Sequence, residues 1–372
     1  MSLQLFLPYE ERTLSLKNRM VMAPMTRCRA AEGDIPTPLM AEYYAQRATA
    51  GLIITAGLII TEGIPVSNKA RGYLWTPGIY TREQTDGWKQ VTAAVHEKSC
   101  QIYAQIWHTG RVSHTSLQPN NEQPEGATDE APGDAVCFAY DEDGNPANVP
   151  ISTPVPLEAK GIERIRNEFV QAALNAREAG MDGVEIHGAN GYLFDQFLNS
   201  VVNTRDDKYG GSVENRCRLL LETVDAVSEA IGAERTGVRI SPNGKFNSMP
   251  EDPLMEETFI HLANELEKRN IAFLHINDQG SFGMPPIPVE LIQKIRAAFS
   301  GPVILCGGYD AQRAQDALAS GLADLVAFGT SYLANPDLPA RLQNGWPLNQ
   351  PDMDTFYGGG AEGYTDYPVY EG

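Results

Sequence analysis

Short apolar, β-branched runs recur along this chain, and stretches of helical periodicity alternate with them. The runs are Met20 to Pro24, Leu58 to Glu62, Gln101 to Trp107, Val184 to His187, Gly237 to Pro242, Phe273 to Asn277, Pro302 to Gly307 and Leu325 to Gly329. Helical patterns fall at about 39–49, 82–98, 160–179, 213–231, 254–269, 287–299, 310–320 and 337–343. Several runs are apolar almost without a break, as strands of a parallel sheet covered on both faces must be. Eight such units in 372 residues predict an α/β fold, a closed (β/α)8 TIM barrel formed as one domain over 1–372, rather than a doubly wound sheet. No GxGxxG follows the first run, which counts against a dinucleotide-binding sheet.

Three stretches depart from the alternation. Residues 112–158 are rich in Pro, Asn, Asp and Glu. Within them, 136–140 and 147–151 flank a turn at 141–146, which predicts a β-hairpin inserted after the third strand as a lid over the barrel mouth. At the start, Leu3 to Pro8 and Thr13 to Leu16 predict a hairpin closing the barrel floor. The third is a tandem repeat, Gly51-Leu-Ile-Ile-Thr-Ala56 followed at once by Gly57-Leu-Ile-Ile-Thr-Glu62. Two copies in line would run about 40 Å, too long for one barrel wall. The repeat length is even, so facing cannot choose between copies. The second copy is joined directly to Gly63, so Leu58 to Glu62 is expected to be the strand. Residues 51–56 are expected to be displaced to the barrel floor.

Composition excludes several function classes. A formal net charge of −19 argues against nucleic-acid partners and an anionic membrane surface. No apolar run approaches the length of a membrane span, and the N-terminal residues lack the features of a signal peptide. Cys28, Cys100, Cys137, Cys217 and Cys306 are scattered and form no CxxC pair. This suits reduced thiols in the cytoplasm and gives no metal motif. Cys28, between two arginines, is open to reading as a reactive thiol or as a packed one.

In a barrel of this kind the strand C-termini face the active site. Those ends carry Ala23 to Thr26, Thr61 to Gly63, Gln105 to His108, a cluster of His187, Asn190 and Tyr192, then Arg239 to Pro242, Gly307-Gly308 and Phe328 to Thr330. Gly188 and Gly191 mark a tight turn after Ile186. That turn offers two donors suited to a carbonyl oxygen and one phenol suited to giving a proton. The glycines ending the seventh and eighth strands suit either a phosphate cradle or plain turns.

These residues match a known pattern. Met22-Ala-Pro-Met-Thr-Arg27, Tyr43-Tyr-Ala-Gln-Arg47, Ala104-Gln-Ile-Trp-His-Thr-Gly-Arg111, His187-Gly-Ala-Asn-Gly-Tyr-Leu193, Tyr209-Gly-Gly-Ser-Val-Glu-Asn-Arg216, Ala334-Asn-Pro-Asp-Leu338 and the segment Phe356 to Pro368 occur in one order. With them the chain resembles, over nearly its whole length, the Old Yellow Enzyme family of flavin-dependent ene-reductases. Within that family it looks most like the bacterial nitrate-ester and morphinone reductases.

The resemblance implies FMN at the barrel mouth and NADPH or NADH as reductant in the same pocket. Pro24, Met25 and Thr26 would line the flavin, and Gly63 would let backbone approach it. Gln105 and Arg239 would hold the pyrimidine edge, where a fixed cation stabilises the charge of the reduced ring. Gly308, Tyr309, Gly329 and Thr330 would meet the phosphate. His187 and Asn190 would bind the carbonyl or nitro oxygen of an enone, enal or nitroalkene while hydride passes from flavin N5 to the β-carbon, and Tyr192 would protonate the α-carbon. Tyr73, Trp107, Asn247 and Tyr357 would shape the substrate pocket. Thr330 stands where the family usually carries arginine, which predicts weaker phosphate binding. The alternatives are a nitrate-ester or nitro-compound reductase on the same scaffold, or a barrel with an impaired cofactor site. The oligomeric state is left open.

Overall fold

The computed structural model describes residues 4–48 and 57–372. Eight parallel strands close into a barrel: β1 (Met20–Met22), β2 (Leu58–Pro65), β3 (Gln101–Trp107), β4 (Gly183–Gly188), β5 (Thr236–Ile240), β6 (Leu274–Asn277), β7 (Val303–Cys306) and β8 (Leu325–Phe328). The last strand closes on the first, with Val326, Ala327 and Phe328 opposite Met20, Val21 and Met22. Every residue of these strands is buried except Gln101, as the unbroken apolar runs require.

The helices between them are α1 (Pro38–Ala48), α2 (Arg82–His96), α3 (Ala159–Glu178), α4 (Val213–Ile231), α5 (Met255–Arg269), α6 (Val289–Ala298), α7 (Ala311–Ala319) and α8 (Leu338–Asn344). The strands expected to run to Pro24 and Pro242, or to start at Pro302, are shorter at those ends. Proline has no N–H for the ladder. Two further helices, Leu193–Leu198 and Thr330–Ala334, are too short to show as periodicity.

The second copy of the repeat is the barrel strand, as expected, and it continues through Gly63, Ile64 and Pro65. A Cβ on Gly57 would lie 2.4 Å from the Asn18 carbonyl oxygen, so this copy enters the barrel on a residue that must lack a side chain. The expected displacement of 51–56 lies outside the described residues. Between Ile60 and Gly63 the β2–β3 register slips by one residue. Thr61 Oγ1 accepts the Gln105 N–H at 3.0 Å, filling the gap that the bulge leaves in the ladder.

The floor hairpin pairs Tyr9–Glu11 with Leu14–Leu16. Its first arm is not the expected segment, because Pro8 cannot donate to a ladder and residues 4–6 form a 3-10 turn. Tyr9, Leu14 and Leu16 pack with Val21, Leu58, Tyr103, Phe273, Ile304 and Leu325 inside the barrel. In the 112–158 insertion, Val136–Tyr140 pairs antiparallel with Pro146–Pro150. Cys137, Ala139 and Val149 of this hairpin pack with Leu74, Tyr73 and Trp75 beside the mouth. Among the described residues no helix is long and apolar enough to cross a membrane.

Candidate active site

β4 ends at Gly188, and the chain then turns through left-handed conformations at Asn190 (φ 60°) and Gly191 (φ 75°). A Cβ on Gly191 would come within 2.8 Å of Met249 and of the Phe246 carbonyl, so only glycine fits. Asp195 anchors this turn. Its Oδ2 accepts the Gly191 N–H at 2.8 Å and the Ser241 hydroxyl at 3.3 Å, while Ser241 Oγ accepts the Asn190 N–H at 2.7 Å. Gln196 donates to the Gly191 carbonyl at 2.8 Å.

The turn fixes what each side chain can offer. His187 Nδ1 accepts the Ala189 N–H at 3.2 Å, so its proton sits on Nε2. Burial and the Arg239 charge hold the imidazole well below its ordinary range, and it is neutral at neutral pH. Asn190 Oδ1 accepts from Asn277 Nδ2 at 2.9 Å and Gln279 Nε2 at 3.0 Å, which leaves its NH2 as the free end. Two neutral N–H donors therefore stand beside a phenol. The Tyr192 hydroxyl lies 3.0 Å from that of Tyr73, and burial pushes it up to about 12, so it keeps its proton. The Trp107 ring sits 4.9 Å from Tyr192, 5.8 Å from His187 and 5.9 Å from Tyr73, forming one aromatic wall. Asn247 donates to the Asn190 carbonyl at 2.8 Å. Tyr357 stands at the rim, 63% exposed.

A second group of residues faces the same mouth. Gln105 Nε2 donates to Glu185 Oε1 at 2.7 Å, leaving its own Oε1 free to accept. Arg239, opposite His187 in the β4–β5 register, is 5% exposed. Its Nη2 donates to Asn277 at 3.0 Å, and its Nε has no partner among the described residues. Thr26 Oγ1 makes no hydrogen bond among them either. An under-satisfied buried guanidinium, a free amide oxygen and a free hydroxyl fit the mixed donor and acceptor edge of a flavin.

Gly63 carries a packing constraint besides the expected role. A Cβ there would lie 2.6 Å from the Trp107 ring, so Trp107 also requires the glycine. At the β7 and β8 ends, Gly307 and Gly308 have φ of 135° and 66°, and Gly329 precedes the short helix begun by Thr330. Met25 lies against Gly329. Cys28 is buried at φ 55°, and burial raises its thiol, which makes it a packed cysteine rather than a reactive one.

Sequence reasoning missed several participants. Asp195, Asn277 and Gln279 sit on different elements, and no local motif connects them. Arg313, at the start of α7, donates to the Gly307 carbonyl at 2.8 Å and lies 4.2 Å over the Tyr309 ring. The glycine run 358–360 belongs to a wall gripped by two arginines. Arg27 donates to the carbonyls of Phe356 and Gly363, and Arg29 to those of Thr355, Gly360 and Glu362.

The anchor of the turn also titrates. Burial pushes the Asp195 carboxyl up to about 7. A raised carboxyl makes the fold favour the protonated form. The resulting stability is complete below about pH 4 and is lost as pH rises toward 7. Asp195→Asn keeps an oxygen for the Gly191 N–H without that loss. Its melting temperature relative to wild type is expected to be higher at pH 8 than at pH 5, and an equal difference at both would show that the carboxyl is ionised throughout.

Known proteins share this architecture. Residues 4–349 match the family model for the NADH:flavin oxidoreductase / NADH oxidase family. A probable flavin mononucleotide-dependent alkene reductase of Leishmania infantum is 43% identical, covering 95% of this chain and 94% of that protein. A structure of morphinone reductase in complex with tetrahydroNAD superposes with a TM-score of 0.93 at 46% identity, over 99% of this chain and 98% of the other. The Old Yellow Enzyme homologue from Zymomonas mobilis gives 0.91 at 39% identity, over 99% and 100%. On its barrel, its sequence and its relatives, the chain belongs to the Old Yellow Enzyme group of FMN-dependent NAD(P)H oxidoreductases.

Proposed function

We propose that the protein reduces the activated C=C bond of α,β-unsaturated carbonyls and nitroalkenes, with His187 and Asn190 as oxyanion donors and Tyr192 as the proton donor. FMN, when bound, would supply the hydride for the β-carbon, and NADPH or NADH would serve as its reductant. Thr26, Gln105 and Arg239 hold the flavin ring, with Pro24, Met25 and Gly63 along it. Gly308, Tyr309, Gly329 and Thr330 receive the phosphate. Tyr73, Trp107, Asn247 and Tyr357 bound the substrate space, and the hairpin of the 112–158 region covers its Tyr73 side.

The observation that carries this reading is the convergence of two neutral N–H donors and a protonated phenol on one aromatic wall. Negative charge gathers on the substrate oxygen as hydride arrives, and preorganised donors stabilise it without reorganising. His187 suits the task because it is neutral and its Nε2–H is fixed by the bond at Nδ1. Tyr192 then gives its proton to the α-carbon, and Tyr73 can share the developing phenolate charge across 3.0 Å. The test is a visible spectrum of the purified protein, followed by NADPH and NADH oxidation over enones, enals, nitroalkenes and nitrate esters. A colourless protein that takes up no added FMN overturns the reading.

Thr330 gives a separate prediction. A charge-assisted bond to phosphate contributes roughly 1.5–3 kcal/mol, against a smaller term for a neutral hydroxyl. Thr330→Arg is expected to bind FMN about tenfold more tightly in a flavin-fluorescence titration. Equal or weaker binding would show that nearby Arg313 already supplies the charge.

A further inference from the structure

Beneath the proposed flavin edge lies a buried ionic network that the reaction above does not use. Glu185 accepts from Gln105 with one oxygen and meets His275 Nδ1 with the other at 2.7 Å, and Glu185 and His275 are both fully buried. At the C-terminal end of β7, opposite Asn277, Cys306 Sγ accepts from Arg239 Nη2 at 3.8 Å. Arg239 has no carboxylate partner within ion-pair distance among the described residues. Among the described residues its only side-chain contacts of hydrogen-bond geometry are the Asn277 amide oxygen and this sulfur.

We propose that Cys306 is a positioning residue for the redox step: it shares the Arg239 guanidinium with the pyrimidine edge of the flavin and so sets how strongly the reduced, anionic ring is stabilised. This inference rests on the placing of FMN against Gln105 and Arg239 proposed above.

The physical reason is competition for one cation in a low-dielectric interior. Glu185 is compensated by His275, so Arg239 is the charge left to answer an anion at the mouth. Among the described residues the sulfur is the only titratable group hydrogen-bonded to it. Burial pushes the Cys306 thiol up, but His275 and Arg239 outweigh burial and hold it below its ordinary range. His275 favours the thiolate by facing the sulfur as a donor and by its charge, and Arg239 adds to both effects. The other groups around the sulfur are Tyr309, from the loop after β7, and Glu185 behind His275; Ala23 and Ala327 share its cluster from β1 and β8. When the thiol loses its proton, a negative charge stands 3.8 Å from Arg239 and reduces the field left for the flavin.

The experiment is a redox titration of the FMN-loaded enzyme from pH 6.5 to 8.5, comparing wild type, Cys306→Ala and Cys306→Ser. Neither variant ionises at this position in that range. Both are expected to favour reduced flavin over wild type by about tenfold at pH 8.5, a rise of about 30 mV in a two-electron midpoint. The gap should narrow as pH falls, because the wild-type thiol gains a proton in that direction and the variants do not. Cys306→Ser keeps an acceptor for Arg239 and tests the point even if the alanine variant folds poorly. A gap below twofold, or one that does not change with pH, would make Cys306 a packing residue and overturn the inference alone. A wild-type protein that binds no FMN would overturn the functional reading and this inference with it.

Discussion

Replacing Tyr192 with phenylalanine is expected to slow enone turnover by roughly 10²–10⁴-fold while flavin reduction by NAD(P)H continues. The ring should stay in place, because Trp107 at 4.9 Å and His187 at 5.0 Å hold it by packing. What is lost is the proton, together with the hydroxyl contact to Tyr73. Nitroalkenes should suffer less, since a nitronate can leave and take its proton from water. Stopped-flow measurement separates the two half-reactions. An oxidative half-reaction with cyclohexenone that runs at the wild-type rate would remove Tyr192 from the mechanism.

The second large effect is expected at His187. His187→Phe keeps an aromatic ring against Trp107 and Tyr192 but removes one of two donors to the substrate oxygen. Loss of one such donor costs about 10²–10³ in the chemical step. The residue is neutral in the fold, so the wild-type rate should show no limb from its protonation between pH 6 and 8. A loss under about threefold in single-turnover oxidation of the reduced enzyme would assign the oxygen to Asn190 alone. Such a limb, if it disappears in His187→Phe, would show that the imidazole titrates.

The barrel was legible because its strands are buried on both faces, so their apolar runs stand out. β3 and α4 have the expected bounds to the residue. Proline-bounded ends were placed a residue or two wrong, and helices of five or six residues have too few turns to show a period. The His187, Asn190 and Tyr192 cluster was visible because it is local. Its supports were not, because Asp195, Ser241, Asn277 and Gln279 meet only once the barrel closes. The packing constraint on Gly63 was hidden for the same cause, since Trp107 lies on the neighbouring strand and reaches it through a bulge that no sequence pattern announces.

The grip of Arg27 and Arg29 on residues 355–363 also bears on when this enzyme becomes competent during synthesis. Arg27 and Arg29 are made before seven of the eight barrel strands, and the carbonyls they bind are made only after the eighth. A nascent chain halted just short of Thr355 would contain all eight strands, yet it would carry two guanidinium groups without those acceptors and no rim bearing Tyr357. Barrel closure and pocket completion are thus separate events in time. A shortened chain could pass a folding assay and still present an open, unwalled mouth.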